Sequence, residues 1–381
     1  MSRLRLFTGK GGVGKTTLAA ATAAGLAARG RKTLVVSTDP AHSLGDTFAR
    51  RLTPEPTEVD SCLSGAQVDS RGLVDATWQE LRGKLRSALS GAGLDALEAE
   101  ELTVLPGVDE LLALTEVQRL AETGRWDTVV VDCGPTAETL RLLSLPEAVS
   151  GYLNRMFGWQ AKLAARGTVE AVKRLAAHLE SLRALLTDAE RTAVRLVCTP
   201  ERVVVAETHR TLSALALRGI RVDGVIVNRL LPAPRGWRGP AASWLRARRG
   251  QQDAVLAELA GSGLASFARV EHRAIEPVGL DALREIAAEL YGDADPLSDN
   301  GSDPVPLLQI SEVDGGYQLR VALPLGRDAE VELARVDDDL AITVDGFRRL
   351  VPLPEQVRAC RITGAESGPR GLVVSFTEGQ G

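Results

Sequence analysis

The chain reads as an α/β protein built on a doubly wound, mainly parallel sheet, followed by a small all-β domain. Three observations predict this. From Leu4 to about Tyr291, short runs rich in Val, Ile and Leu alternate with alanine- and leucine-rich stretches of helical length. Strands buried on both faces by helices read as such continuous apolar runs. The first run leads into a glycine-rich turn and then a helix, Leu4 to Ala28. Beyond residue 291 the pattern becomes an alternation of polar and apolar residues broken by Asp-Gly turns, the pattern of antiparallel hairpins.

Taken in order, the predicted strands are Leu4–Thr8, Lys32–Ser37, Asp127–Asp132, Ala193–Thr199 and Val222–Asn228. In a doubly wound sheet the ligand lies beyond the carboxyl ends of the strands, and three of these ends carry the charged motifs described below. Two segments, at about 75–105 and 145–187, are helical in character and too long for plain crossovers, so they are read as helical insertions. The second contains "YLNRMFGWQAKL", Tyr152 to Leu163, read either as packing or as an apolar surface for a partner. The expected organisation is a nucleotide-binding domain over 1–291, a linker rich in Asp, Ser, Gly and Pro over 292–306, and a β domain over 307–381.

The loop after the first strand is "FTGKGGVGKTT". From Gly9 to Thr16 it satisfies G-x-x-x-x-G-K-[ST], the phosphate-binding loop, in the strand–turn–helix context that the motif needs. Backbone N–H groups along Gly11, Gly12, Val13, Gly14, Lys15 and Thr16, with Thr17 behind them, would wrap a β-phosphate at a helix N-terminus. Lys15 would bridge β- and γ-oxygens, and the Thr16 hydroxyl would ligate Mg²⁺. ATP and Mg²⁺ are therefore the expected ligands. Lys10 is a second lysine in a loop that needs only one.

"STDPAHSLGDTF", Ser37 to Phe48, follows the second strand. It sets Asp39 where a carboxylate would orient or deprotonate the water that attacks the γ-phosphate, with Pro40 to Ser43 as a switch. "VVVDCGPTAETLRLL" begins at Val129 and ends its strand on Asp132. A carboxylate at the end of an apolar strand needs a partner, and a water on Mg²⁺ supplies one. "VIVNRLLP" carries Asn228 at the end of a further strand.

Composition excludes several classes. Hydrophobic residues make up 44% and charged residues 25%, compatible with a large core. The net charge of −5 provides no basic field for nucleic acid. The four cysteines, Cys62, Cys133, Cys198 and Cys360, are scattered without a C-x-x-C pair, so neither a thiolate zinc site nor a disulfide framework is expected. The first strand follows Met1 directly, leaving no room for a signal peptide, and no apolar run is long enough to span a bilayer. A soluble, cytoplasmic protein is expected.

These motifs together resemble the deviant phosphate-loop ATPases (K-G-G-x-G-K-[ST]), a branch of the SIMIBI class of P-loop NTPases, and within it the arsenite-pump and tail-anchored-protein-targeting family. The resemblance covers about residues 3 to 291. It implies that Lys10 crosses a two-fold interface to the partner's nucleotide, in the manner of an arginine finger. With one loop per chain, that makes a homodimer. It implies that Asn228 reads the adenine edge and that Pro135 belongs to the nucleotide site. Where the family has D-T-A-P-T-G-H-T-L-R, this chain keeps Asp132, Pro135, Thr136, Thr139, Leu140 and Arg141 but departs at Cys133, Gly134, Ala137 and Glu138. Some family members join subunits through zinc at a C-x-x-C upstream of Arg-Arg-x-x-Gln; here Pro240 to Leu245 has no cysteine, so no zinc is expected. The tail from Leu307 to Thr377 resembles the small-heat-shock-protein-like (α-crystallin) sandwich of some bacterial and plastid members. Two functions are implied. One is ATP-driven opening and closing that controls a hydrophobic membrane-protein client, with a membrane receptor as a possible further partner. The other is the motor of an arsenite or antimonite pump.

Overall fold

The computed structural model of the chain describes residues 2–39, 43–68, 108–133, 177–178, 180–233, 238–261, 267–298, 308–326, 329–368 and 371–378. The predicted insertion at 75–105, most of that at 145–187, the Tyr152–Leu163 stretch, Pro40 to His42, and the segment from Gly134 through Pro135 to Arg141 lie outside the described residues, as do 299–306 of the expected linker. The chain divides into two compact units. One comprises Met1–Phe7, Thr16–Thr192 and Val278–Arg284; the other comprises Thr8–Lys15, Ala193–Pro277 and Glu285–Gly381.

In the first unit, β1 (Arg3–Thr8), β2 (Thr33–Ser37), β4 (Leu63–Gln67) and β5 (Thr128–Asp132) run parallel in the order β4-β2-β5-β1, with β3 (Thr57–Asp60) antiparallel at the β4 edge. Every residue of β2 and β5 is buried, which is what continuous apolar strands covered on both faces require. Helix α1 (Lys15–Ala27) is buried from Leu18 to Ala27. Its alanines explain this, because a helix with small apolar side chains between Leu18 and Leu26 is apolar all round and can lie close to a sheet. Parallel pairing of β2 with β5 sets Ser37 opposite Asp132, so both polar residues reach the carboxyl edge together.

In the second unit, β6 (Thr192–Cys198), β7 (Val222–Leu230) and β8 (Phe267–Glu271) are also parallel neighbours. Buried Arg195 ties this region together. Its Nε and Nη2 bond the Asp223 carboxylate at 3.1 and 2.7 Å, and its remaining donors reach the Tyr291 hydroxyl at 2.8 Å and Pro296 O at 3.2 Å. The same unit contains the C-terminal sandwich. A four-stranded antiparallel sheet, ordered β14 (Cys360–Gly368), β15 (Gly371–Glu378), β10 (Gly316–Val321) and β9 (Leu308–Val313), accompanies a three-stranded one of β11 (Val331–Val336), β12 (Asp339–Val344) and β13 (Phe347–Pro352). Asp345 (φ 48°) and Gly346 (φ 81°) form the β12–β13 turn, whose two positive φ angles suit Asp-Gly. Leu319, Val321, Leu340, Ile342, Val374 and Phe376 fill the core, and Leu217, from outside the sandwich sequence, is buried among them.

Candidate functional site

The phosphate loop departs from β1 through Gly9, whose φ is 146°. A β-carbon there would stand 2.1 Å from Val197 O, so only glycine lets the chain turn against the end of β6. Gly14 (φ 95°) has a second constraint: a β-carbon would fall 2.3 Å from Asn228 Nδ2. That nitrogen donates to Val13 O at 2.8 Å, and Asn228 Oδ1 accepts from Arg229 N at 2.9 Å. Asn228, expected from the resemblance to meet adenine, thus braces the loop in this structure. Just beyond it, Gln252 Oε1 accepts from Leu231 N at 2.9 Å and Arg249 Nη1 donates to Leu231 O. Both clamps come from the helix Pro240–Gly261.

The two lysines separate in space. Lys15 Nζ donates to Lys10 O at 3.2 Å, turned in over its own loop. Lys10 Nζ instead lies 3.1 Å from Glu207 Oε2, and the two side chains are 43% and 41% exposed. The ammonium is therefore presented at the surface, away from the position served by Lys15.

The acids belong to the first unit. Asp132 is 1% exposed, and the Ser37 hydroxyl donates to its Oδ2 at 3.1 Å. Ser37 Oγ also accepts from Asp39 N at 3.2 Å, so one buried oxygen joins the end of β5 to the segment bearing Asp39. Gln67 Nε2, at the end of β4, donates to Asp39 O at 2.8 Å. Thr38 N donates to Asp132 O at 3.0 Å. Asp39 itself is half-buried. Thr16 Oγ1 and Ser43 Oγ are 3.1 Å apart, close to the about 3 Å between adjacent ligands of an octahedral ion with bonds of about 2.0–2.1 Å. Two hard hydroxyl oxygens with a buried carboxylate in the same unit are the donor types that Mg²⁺ takes, so these residues fit the ion.

None of the four cysteines is in a disulfide, and Cys62 is exposed while the others are buried. Burial pushes the Cys198 thiol up to about 12, keeping it protonated. Among the described residues no group of three His, Cys, Asp or Glu side chains is arranged to hold a metal. Nor is any helix among them long and apolar enough to cross a membrane.

Ser37, Ser43, Gln67 and Glu207 received no individual role from the sequence. The signal for Ser37 was its place as the last residue of a strand beside Asp132. Ser43 stood in the quoted switch string. Gln67 and Glu207 carried none, since each acts through contacts 28 or more positions away.

A family model described as anion-transporting ATPase matches residues 2–292. The chain belongs to this ArsA family. A second model, an HSP20-like domain found in ArsA proteins, matches residues 314–376, in agreement with the antiparallel sandwich. The chain is 37% identical to protein Rv2184c of Mycobacterium tuberculosis, with 98% of this chain and 96% of the relative covered. It is 33% identical to a protein named as an arsenical pump-driving ATPase from Prosthecochloris vibrioformis, covering 96% and 92%. It is 31% identical to the ATPase get3 of Neurospora crassa, covering 59% and 73%. The family assigns this ATPase the hydrolysis of ATP.

Proposed function

We infer that this ATPase works as a homodimer in which ATP binding and hydrolysis close and open the two subunits and so control the binding of a hydrophobic membrane-protein segment. The carrying observation is the separation of the two loop lysines. Lys15 is directed over its own loop, whereas Lys10 stands at the surface on Glu207, available to the phosphates of a second subunit. A cation delivered across an interface stabilises transition-state charge only when the dimer is closed, and that differential interaction is what lets nucleotide shift the conformational equilibrium.

In this reading Lys15, with the N–H groups of Gly11 to Thr17, holds the phosphates. Thr16 and Ser43 would hold Mg²⁺, with Asp132 reaching it through water, and the ion would supply charge neutralisation for the phosphates. Asp39 orients the attacking water, and its position is set by the Ser37 and Gln67 bonds. Asn228 holds the loop at Val13 and meets the adenine edge in the closed state, with Pro135 beside it. The domain boundaries stay as read from the sequence, with 1–291 as the ATPase, 292–306 as linker and 307–381 as the β domain. The protein acts in the cytoplasm, and a membrane receptor accepts the client.

The relative named get3 favours this reading. The relatives named as arsenical pump-driving ATPases keep a metalloid-pump motor as the competitor. The test is capture. Asp39→Asn protein, stalled with ATP, is purified from cells expressing a tagged single-helix membrane protein and an arginine-substituted control. Selective capture of the apolar helix supports the carrier. No capture, with ATPase activity stimulated by antimonite, overturns it in favour of the pump.

A further inference from the structure

The helix Arg202–Leu217, here α4, is held from two sides. Near its start, Glu207 pairs with Lys10 at 3.1 Å. Toward its end it is built into the sandwich: Ser213 Oγ donates to Pro324 O at 2.8 Å, Arg349 Nη1 donates to Leu217 O, and Leu217 is 1% exposed within the sandwich core. His209 lies against Gly326, where an added β-carbon would be 3.6 Å from His209 Cβ. At 3.6 residues per turn, His209, Ser213 and Ala216 fall roughly 120–180° around the helix from Glu207, with Leu217 on the flank about 80° from it. The sandwich thus grips the face opposite the one that meets the phosphate loop.

We propose that Glu207 is the positioning residue of Lys10, holding its ammonium in cis on a helix that the β sandwich keeps in place, and releasing it when the partner's phosphates compete. This rests on the trans-lysine reading above. A pair exposed by two-fifths on both sides is weak and screened by salt, which suits a contact that must break in each cycle. A helix free to follow its lysine would not release it. Docking of α4 on the sandwich holds Glu207 back as Lys10 moves, and so gives the C-terminal domain a part in setting the ATPase rate.

The test uses the full-length protein. Glu207→Gln raises kcat by about two- to five-fold at low salt, the range of an exposed ion pair, with KM unchanged. The gain disappears at high salt, whereas Glu207→Asp, which keeps the charge, stays near the wild-type rate. Arg349→Ala, which loosens the opposite face, raises kcat in the wild-type background and adds nothing to Glu207→Gln; this non-additivity identifies a shared path. Circular dichroism confirms that each variant is folded. Lys10→Ala separates the two ideas. If it turns over ATP normally, the trans-lysine reading fails. If it is inactive while Glu207→Gln is unchanged or slower, the positioning role of Glu207 is overturned and the trans-lysine reading stands.

Discussion

Replacing Ser37 by alanine removes one oxygen that serves two acidic positions. The Ser37 hydroxyl donates to Asp132 Oδ2 at 3.1 Å and accepts from Asp39 N at 3.2 Å. Both Ser37 and Asp132 are sealed from solvent at 0% and 1% exposure, so bulk water does not replace the lost donor. A hydrogen bond to a charged group contributes about 1.5–3 kcal/mol. If half or more of that positioning is expressed in the transition state, at 1.4 kcal/mol per tenfold, kcat falls by roughly 3- to 150-fold. Because Ser37 touches no phosphate in this account, the Kd for ATP stays within about threefold of wild type. Steady-state hydrolysis and equilibrium binding of a fluorescent ATP analogue measure the two separately. Ser37→Thr, which keeps the hydroxyl, recovers part of the rate. A Ser37→Ala enzyme with kcat within twofold of wild type would refute the idea that this oxygen couples the metal-side acid to the water-orienting one.

Two further outcomes follow from the geometry. Gly14→Ala places a β-carbon at φ 95° and 2.3 Å from Asn228 Nδ2; backbone strain alone of about 1–2 kcal/mol weakens ATP binding by about 5- to 30-fold, read by calorimetric titration, and unchanged affinity would show that the loop tolerates the shift. Burial holds His209 below its usual value of 6.5, with Glu258 opposing it. The unfolded chain therefore takes up the proton first, and stability present above about pH 6.5 declines as the pH falls toward the lower folded value. Thermal unfolding midpoints drop between about pH 7.5 and about pH 5.5, less steeply in His209→Gln; equal slopes in the two proteins would remove His209 from the explanation.

The strands that carry the site were legible because short, β-branched apolar runs such as "TVVVD" and "TAVRLVC" are the pattern of buried parallel strands, and the observed β5 and β6 begin and end within one residue of the expected bounds. The antiparallel β3 and the following β4 were not foreseen, since "TEVD" and "LSGAQ" have too few apolar residues to register. β8, "FARVE", escaped for the same reason. In the sandwich, Asp337, Asp345 and the glycines at 315 and 346 adopt positive φ, so the turn residues that suggested hairpins do so through backbone conformation. The phosphate loop was legible because its chemistry lies within eight consecutive residues. The supports of the site were not: Gln67, Asn228 in its bracing role and Glu207 reach their partners over 28, 215 and 197 positions, and no local pattern encodes such a contact. Leu217 reads as an ordinary apolar helical residue until the fold places it in the core of another domain's sandwich.

The most direct test of the account mixes two variants. Lys10→Ala lacks the lysine it would lend to its partner, and Asp39→Asn lacks its own water-orienting carboxylate, so each alone is inactive. After subunit exchange, random pairing makes about half the dimers mixed, each with one complete site, and ATP hydrolysis returns to about a quarter of the wild-type rate. A mixture no more active than the sum of its separate components would contradict the shared site, and with it the dimer-closing mechanism.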